Sequence, residues 1–322
     1  MSISEFQLID QCFADNTHQR EDVIVGIGDD CAVLNVSQQQ QLLVSVDTLV
    51  ENVHFFSDMD PHLLGYRALA VSLSDLAASA AIPTWYTLAL SSNQIDRCWA
   101  QSLNAGMQEL ADQFNMQLIG GDTTKSRDTV LTLSVFGFQQ KNNFVTRSNA
   151  QPGDLIYITG TLGDAALAIK NRKNEVTLNE ASIKHVQKKF DRPSPRVNEA
   201  LSIAAIANSM IDISDGLMAD LGHILESSQC GASIEYSEIP ISQVMQQYII
   251  DTNDFKLPLT YGDDYELCFT VPKNNKKLLE EVSVQWGCGC HCIGEIERQA
   301  GLRCYAENGD LINFSRQGYQ HF

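Results

Sequence analysis

One pattern constrains this chain more than any other: a short apolar run, one or two small residues, then an aspartate. It occurs at Val23-Ile24-Val25-Gly26-Ile27-Gly28-Asp29-Asp30. It recurs at Leu43-Val44-Ser45-Val46-Asp47, Leu118-Ile119-Gly120-Gly121-Asp122, Met210-Ile211-Asp212-Ile213-Ser214-Asp215-Gly216 and Tyr261-Gly262-Asp263-Asp264. Short apolar runs bounded by turn residues read as strands, and strand ends hold side chains rigidly. These aspartates are therefore expected to converge on one acidic site. For any single one, ending a strand or capping a helix is an equally good reading. As a set they point to metal, because clustered carboxylates repel and their burial is unfavourable unless cations neutralise them. With no His or Cys at ligand spacing among them, the oxygen donors select a hard ion such as Mg²⁺, Mn²⁺ or Ca²⁺.

The 322 residues suffice for two domains with cores of their own. Forty acidic against 22 basic side chains leave a formal charge of −18. Such a field disfavours sequence-independent nucleic-acid binding and anionic membranes, and it favours cationic ligands; for most of the acids, solubility is role enough. No apolar run reaches the roughly 18 residues of a spanning helix. The start, Met1-Ser2-Ile3-Ser4-Glu5-Phe6, lacks the cationic and apolar regions of a secretory signal. Nine cysteines, an odd count and mostly inside apolar segments, fit reduced thiols in the cytoplasm.

Residues 4–15 read as a helix capped by Ser4, with Gln7 at the capping-box position. Strands are expected at 22–27, 31–36 and 42–49, then a helix over 61–78 opened by Pro61, a strand at 84–91, a helix at 97–114, and strands at 116–120 and 129–138. Leu64, Ala68, Val71, Asp75 and Ala78 share one stripe of the 61–78 helix, so Asp75 lies on an apolar face and needs a partner. The polar run 139–143 is the expected linker, with Pro152-Gly153 as the far limit of the boundary. Beyond it come a strand at 155–159 and a helix after Gly163. Helices at 179–190 and 196–208, a strand at 210–214, a helix at 216–228, a strand at 232–236 and a helix at 242–251 follow. A strand at 265–271, a helix near 274–284 and strands near 289–295 and 302–305 close the chain. The expected fold is α/β, of the α+β kind, in two domains. A mixed sheet with helices on one face occupies 1–140, and an α/β layer occupies 150–322.

The EF-hand loop, the Gly-x-x-x-x-Gly-Lys-[Ser/Thr] loop and the protein-kinase signatures are all missing from the sequence. A nucleotide enzyme of this composition would hold phosphate mainly through metal bridges. Gly160-Thr161-Leu162-Gly163 could offer N–H groups to a phosphate but reads better as an ordinary strand-to-helix turn. Thr146-Arg147-Ser148 brings a guanidinium suited to clamping phosphate, against the plainer reading of a surface ion pair. Cys288, Cys290 and Cys292 alternate on what reads as one strand face, a spacing that favours packed thiols over a zinc knuckle. His54 is a candidate ligand contact with a structural role as its alternative.

These motifs appear in a fixed order. Gly26-Ile27-Gly28-Asp29-Asp30-Cys31-Ala32, Asp47-Thr48-Leu49 with His54-Phe55, and Leu73-Ser74-Asp75-Leu76-Ala77-Ala78 come first. Gly120-Gly121-Asp122-Thr123-Thr124, Thr146-Arg147-Ser148, Arg192-Pro193-Ser194-Pro195-Arg196, Asp212-Ile213-Ser214-Asp215-Gly216-Leu217 and Asp264-Tyr265-Glu266-Leu267 follow. Over essentially its whole length the chain resembles bacterial thiamine-monophosphate kinases. These belong to the superfamily that also holds aminoimidazole-ribonucleotide synthetase and selenophosphate synthetase.

The resemblance implies direct phosphoryl transfer from ATP to thiamine monophosphate, assisted by several Mg²⁺ ions, in a homodimer paired through its N-terminal sheets. It implies metal ligands at Asp30, Ser45, Val46, Asp47, Asp75, Asp122, Asp212 and Asp215. ATP contacts are implied at Gly121, Asp122, Arg147 and Ser214, and substrate contacts at His54, Asp263 and Tyr319. No dedicated catalytic base is implied. The chain departs from the family at two places: Asp263 stands where a glutamate is usual, and Val46 where a threonine is common, so that only its backbone carbonyl could ligate. The rival readings are another ATP-dependent synthetase of the superfamily and a non-catalytic metal-binding scaffold.

Overall fold

The structure, a computed structural model, describes residues 9–14, 18–93 and 95–314. The chain divides into two compact units, Met1–Leu76 with Ala81–Asn142, and Ala77–Ala80 with Asn143–Phe322.

In the first unit, strands β1 (Val23–Val25) and β2 (Val33–Leu34) pair as a small antiparallel ribbon. Strand β3 (Gln40–Val50) leads to helix α1 (Pro61–Ala78), strand β4 (Ile82–Ser92), helix α2 (Arg97–Ala111) and strands β5 (Gln117–Lys125) and β6 (Val130–Gln140). The four long strands form one sheet in the order β3-β6-β4-β5, with β4 and β5 parallel and the other pairs antiparallel. Helix α1 begins where Asp60 Oδ1 accepts from the N–H groups of His62 and Leu63 at 2.9 and 3.2 Å, with Pro61 pre-set at the first position. Its residues Leu64, Ala68, Leu69, Ala70, Leu73, Leu76 and Ala77 are all buried. Gly65 and Gly106 let α1 and α2 touch main chain to main chain: a Cβ on Gly65 would stand 1.9 Å from the Leu103 carbonyl oxygen.

Two expectations shift here. Of the 4–15 helix, Asp10–Ala14 is a short π-helical turn, and residues 4–8 and 15 lie outside the described residues. Strand β5 runs on to Lys125 through Gly120-Gly121, because β4 accommodates the glycines with a register shift and pairs as far as Ser92 with Lys125.

The second unit contains strand β7 (Leu155–Thr159), helices α3 (Asp164–Arg172), α4 (Glu180–Asp191) and α5 (Val197–Ile203), strand β8 (Ser209–Asp212), helix α6 (Leu217–Ser228) and strand β9 (Gly231–Glu235). Helices α7 (Gln243–Thr252) and α8 (Leu257–Thr260), strand β10 (Leu267–Val271), helix α9 (Lys276–Ser283) and strands β11 (Cys290–Glu297), β12 (Gly301–Tyr305) and β13 (Leu311–Ile312) complete it. Its seven strands order as β13-β12-β9-β11-β7-β10-β8, and only β12 and β9 run parallel. Ile156, Ile158, Ile211, Leu221, Ile224, Ile234 and Ile293 fill the core on this sheet. Helix α5 is shorter than 196–208, because residues beyond Ile203 turn to deliver Asn208 N to the Thr270 carbonyl at 2.8 Å and so start β8.

Candidate active site

Along β3 the side chains alternate. Ser45 and Asp47 turn toward the helices, while Leu42, Val44 and Val46, exposed by 43%, 54% and 57%, project from the face the helices leave bare. Ser45 Oγ donates to Asp75 Oδ2 on α1, which is the partner that Asp75 required on its apolar stripe. Asp47 stands beside it. Burial first, and the Asp75 charge second, push the Asp47 carboxyl up to about 6, offset in part by the Ser72 hydroxyl. Asp47 Oδ2 is buried and accepts no hydrogen bond. A carboxylate withdrawn from water beside a second carboxylate, with an oxygen left unmatched, is a donor set shaped for a cation.

Among the described residues no three His, Cys, Asp or Glu side chains gather in metal-holding geometry. Two carboxylates and a hydroxyl still suit Mg²⁺, which commonly takes one or two carboxylates and completes its shell with water and substrate phosphate.

Other first-unit candidates sit elsewhere. Cross-strand register sets Thr48, Thr132, Ala89 and Asp122 in one row. That places Asp122 on the face opposite Asp47, whose own row continues through Leu133 and Leu88 to Gly121. Asp30 is exposed in the turn after β1. His54 is half-buried, and its Nδ1 accepts from Val50 N at 3.0 Å. The neutral ring therefore carries its hydrogen on Nε2 and serves as a donor.

In the second unit Asp212 and Asp220 are 3% and 2% exposed, and Asp215 lies near them. Asp220 Oδ2 accepts from both Asp215 N and Gly216 N at 3.0 Å. Burial, then the charges of Asp212 and Asp215, raise the Asp220 carboxyl to about 8. Ser214 and Asp263 meet through the main chain, with Asp263 N donating to Ser214 O at 2.8 Å. Asp263 and Tyr265 adopt φ of 77° and 52°, left-handed values that side chains seldom take. Between them, Asp264 accepts from Gly163 N at 2.8 Å, and its Oδ2 is buried without a partner.

That bond also occupies the Gly163 N–H which the glycine turn could have turned to phosphate. Arg147 is exposed, and Tyr319 lies outside the described residues. Strand β11 begins at Cys290, so Cys288 stands off the strand, beyond Gly289 at φ 86°, where its thiol donates to Glu199 Oε1 at 3.6 Å. This corrects the expectation of three thiols alternating on one strand face, because the positive φ ends the pleat.

Asp220 and Glu266 are among the buried acids that were missed in the sequence. Asp220 had a signal: it falls on the buried side of a helix with Leu217, Leu221 and Ile224, four residues after the glycine of an Asp-Gly turn. Glu266 had none beyond its motif. Its carboxylate is held by Arg196 Nε and a terminal nitrogen, both at 2.6 Å, and by Thr159 Oγ1 at 2.7 Å.

Comparison with known proteins adds the lineage. Residues 28–138 match the N-terminal domain and residues 151–307 the C-terminal domain of AIR synthase related proteins. The chain is 41% identical to the thiamine-monophosphate kinase of Escherichia coli (strain K12) over 323 residues, covering 100% of this chain and 99% of that one. The crystal structure of thiamine-monophosphate kinase from Stenotrophomonas maltophilia K279a superposes with a TM-score of 0.86 at 36% identity, covering 97% and 99% of the two chains. AaThiL complexed with AMPPCP and TMP gives a TM-score of 0.78 at 26% identity, covering 100% and 99%.

Proposed function

This chain belongs to the thiamine-monophosphate kinase family within the AIR synthase related proteins, and from that premise we infer that it transfers a phosphoryl group from ATP to thiamine monophosphate, giving thiamine diphosphate and ADP. The observation that carries the chemical reading is the Asp47–Asp75 pair, two half-buried acids, one of which keeps a buried oxygen unmatched while the other accepts from Ser45. The acceptor is itself a phosphate monoester whose second pKa is about 6. At neutral pH it is already a nucleophile, so the protein has to position two anions and not remove a proton.

Asp30, Ser45, the Val46 carbonyl, Asp47, Asp75, Asp122, Asp212 and Asp215 are the groups assigned to several Mg²⁺ ions. Bound there, Mg²⁺ would supply the positive charge that lets the two phosphates approach. Gly121, Asp122, Arg147 and Ser214 are assigned to ATP. His54 offers its Nε2 hydrogen to the acceptor, and Asp263 offers a counter-charge to the thiamine cation, with Tyr319 as an aromatic surface.

The bare face of β3 is assigned to a homodimer, since an exposed apolar stripe on an edge strand favours a partner. The cytoplasm is the assigned location, in keeping with nine unpaired thiols. Val44→Lys should therefore shift the protein to monomer in light scattering. For the activity, the protein is mixed with ATP, Mg²⁺ and thiamine monophosphate: thiamine diphosphate and ADP are expected in equal amounts, and their absence would remove the assignment.

A further inference from the structure

Two loops of the second unit are joined edge to edge by main-chain hydrogen bonds, Asp263 N to Ser214 O at 2.8 Å and Tyr265 N to Ile213 O at 2.9 Å. Gly262 lies so close to this seam that a Cβ there would stand 1.8 Å from the Ser214 carbonyl oxygen. The loop assigned to nucleotide and the loop assigned to acceptor thus share one backbone framework. On the Ser214 side Asp220 Oδ2 grips the framework, accepting from both Asp215 N and Gly216 N.

Gly216 leads into α6 with a φ of 114° and provides no side-chain cap, so Asp220 satisfies N–H groups at the start of the helix. The acid is 2% exposed, and its two bonds reach beyond the cap, because Asp215 and Gly216 directly follow Ser214, whose carbonyl oxygen carries the seam.

We propose that Asp220 is a positioning residue for phosphoryl transfer: through the N–H groups of Asp215 and Gly216 it sets the Asp215 carboxylate and the Ser214–Asp263 seam in register. The proposal rests on the kinase reading given above and adds a residue to it. Asp220 acts through main chain and not on either substrate. Its role needs an oxygen acceptor at one place and does not need the negative charge.

The test compares full-length Asp220→Ala and Asp220→Asn with the wild type, in steady-state assays with Mg²⁺, ATP and thiamine monophosphate and in amide hydrogen exchange without ligands. Asp220→Ala should lower kcat by about 10- to 100-fold, the scale expected when reacting groups are displaced by about an ångström, and should speed exchange at Asp215 and Gly216. Asp220→Asn keeps an oxygen in place and should recover most of kcat together with slow exchange.

An Asn variant as impaired as the Ala variant would assign the residue to charge or metal binding and overturn the proposal. Wild-type kcat in Asp220→Ala despite fast exchange would overturn it as well. Should the Ala variant fold poorly, the Asn variant decides alone, because its loss of kcat beyond about tenfold contradicts the acceptor role. Wild-type enzyme that makes no thiamine diphosphate defeats the kinase reading itself, whereas the Asp220 result is scored only against wild type.

Discussion

Asp47 in the first unit and Glu266 in the second are both acids largely removed from water, and they are treated in opposite ways. Glu266 meets the Arg196 fork, a threonine hydroxyl and, at 4.0 Å, Lys189. Asp47 meets another acid and keeps one buried oxygen without a donor. A buried charge with its partners supplied by the chain serves the fold. One left for something outside the chain to complete serves a ligand. The same residue class is thus satisfied by the chain in one place and left open in the other, where the proposed function puts the chemistry.

The contrast can be broken in several ways. The largest expected effect is on turnover: Asp47→Asn should lower kcat by about 100-fold or more while leaving the fold intact, because in the proposed function its carboxylate holds a cation that would neutralise the reacting phosphates. Steady-state kinetics beside circular dichroism checks this, and full activity would mean the site is misplaced. Next is stability on the other side of the comparison. Arg196→Ala strands Glu266 and should destabilise by about 3–5 kcal/mol, read as a lower urea midpoint.

A pH series sharpens the contrast further. In metal-free protein the Asp47 carboxyl is raised from 3.8 to about 6, so the native state holds its proton more tightly than the unfolded state. Its contribution is most favourable below pH 4 and is lost as pH rises through 6, a change of about 3 kcal/mol at about 1.4 kcal/mol per unit. Asp47→Asn should remove that slope and be more stable than wild type at pH 7 in a chelator. The smallest effect is expected from His54→Ala, which should raise KM for thiamine monophosphate about tenfold with kcat nearly unchanged, since an Nε2 donor that binds without reacting adds to affinity alone.

Periodicity and turn chemistry located most of the elements. The 61–78 helix needed only Pro61 and an apolar stripe, and β7 and α6 were equally local. The misjudged places are those where tertiary pairing overrides local preference. Gly120-Gly121 continues as strand because β4 pairs with it, and the expected 196–208 helix ends at Ile203 because Asn208 is claimed by Thr270. Within the candidate site, the carboxylates were legible as residues but not as arrangements. Nothing in the order of residues says that Asp122 and Asp47 take opposite faces of one sheet, or that Asp220 grips the turn before it.

The chain by itself determined its residue chemistry: an excess of oxygen donors at strand ends and motifs in the order of one kinase family. Only the folded arrangement decided which acids are neutralised internally and which are left open. Charge is a property of a side chain, but the free energy of that charge depends on what lies within a few ångströms of it, and that is set by contacts between residues far apart in sequence.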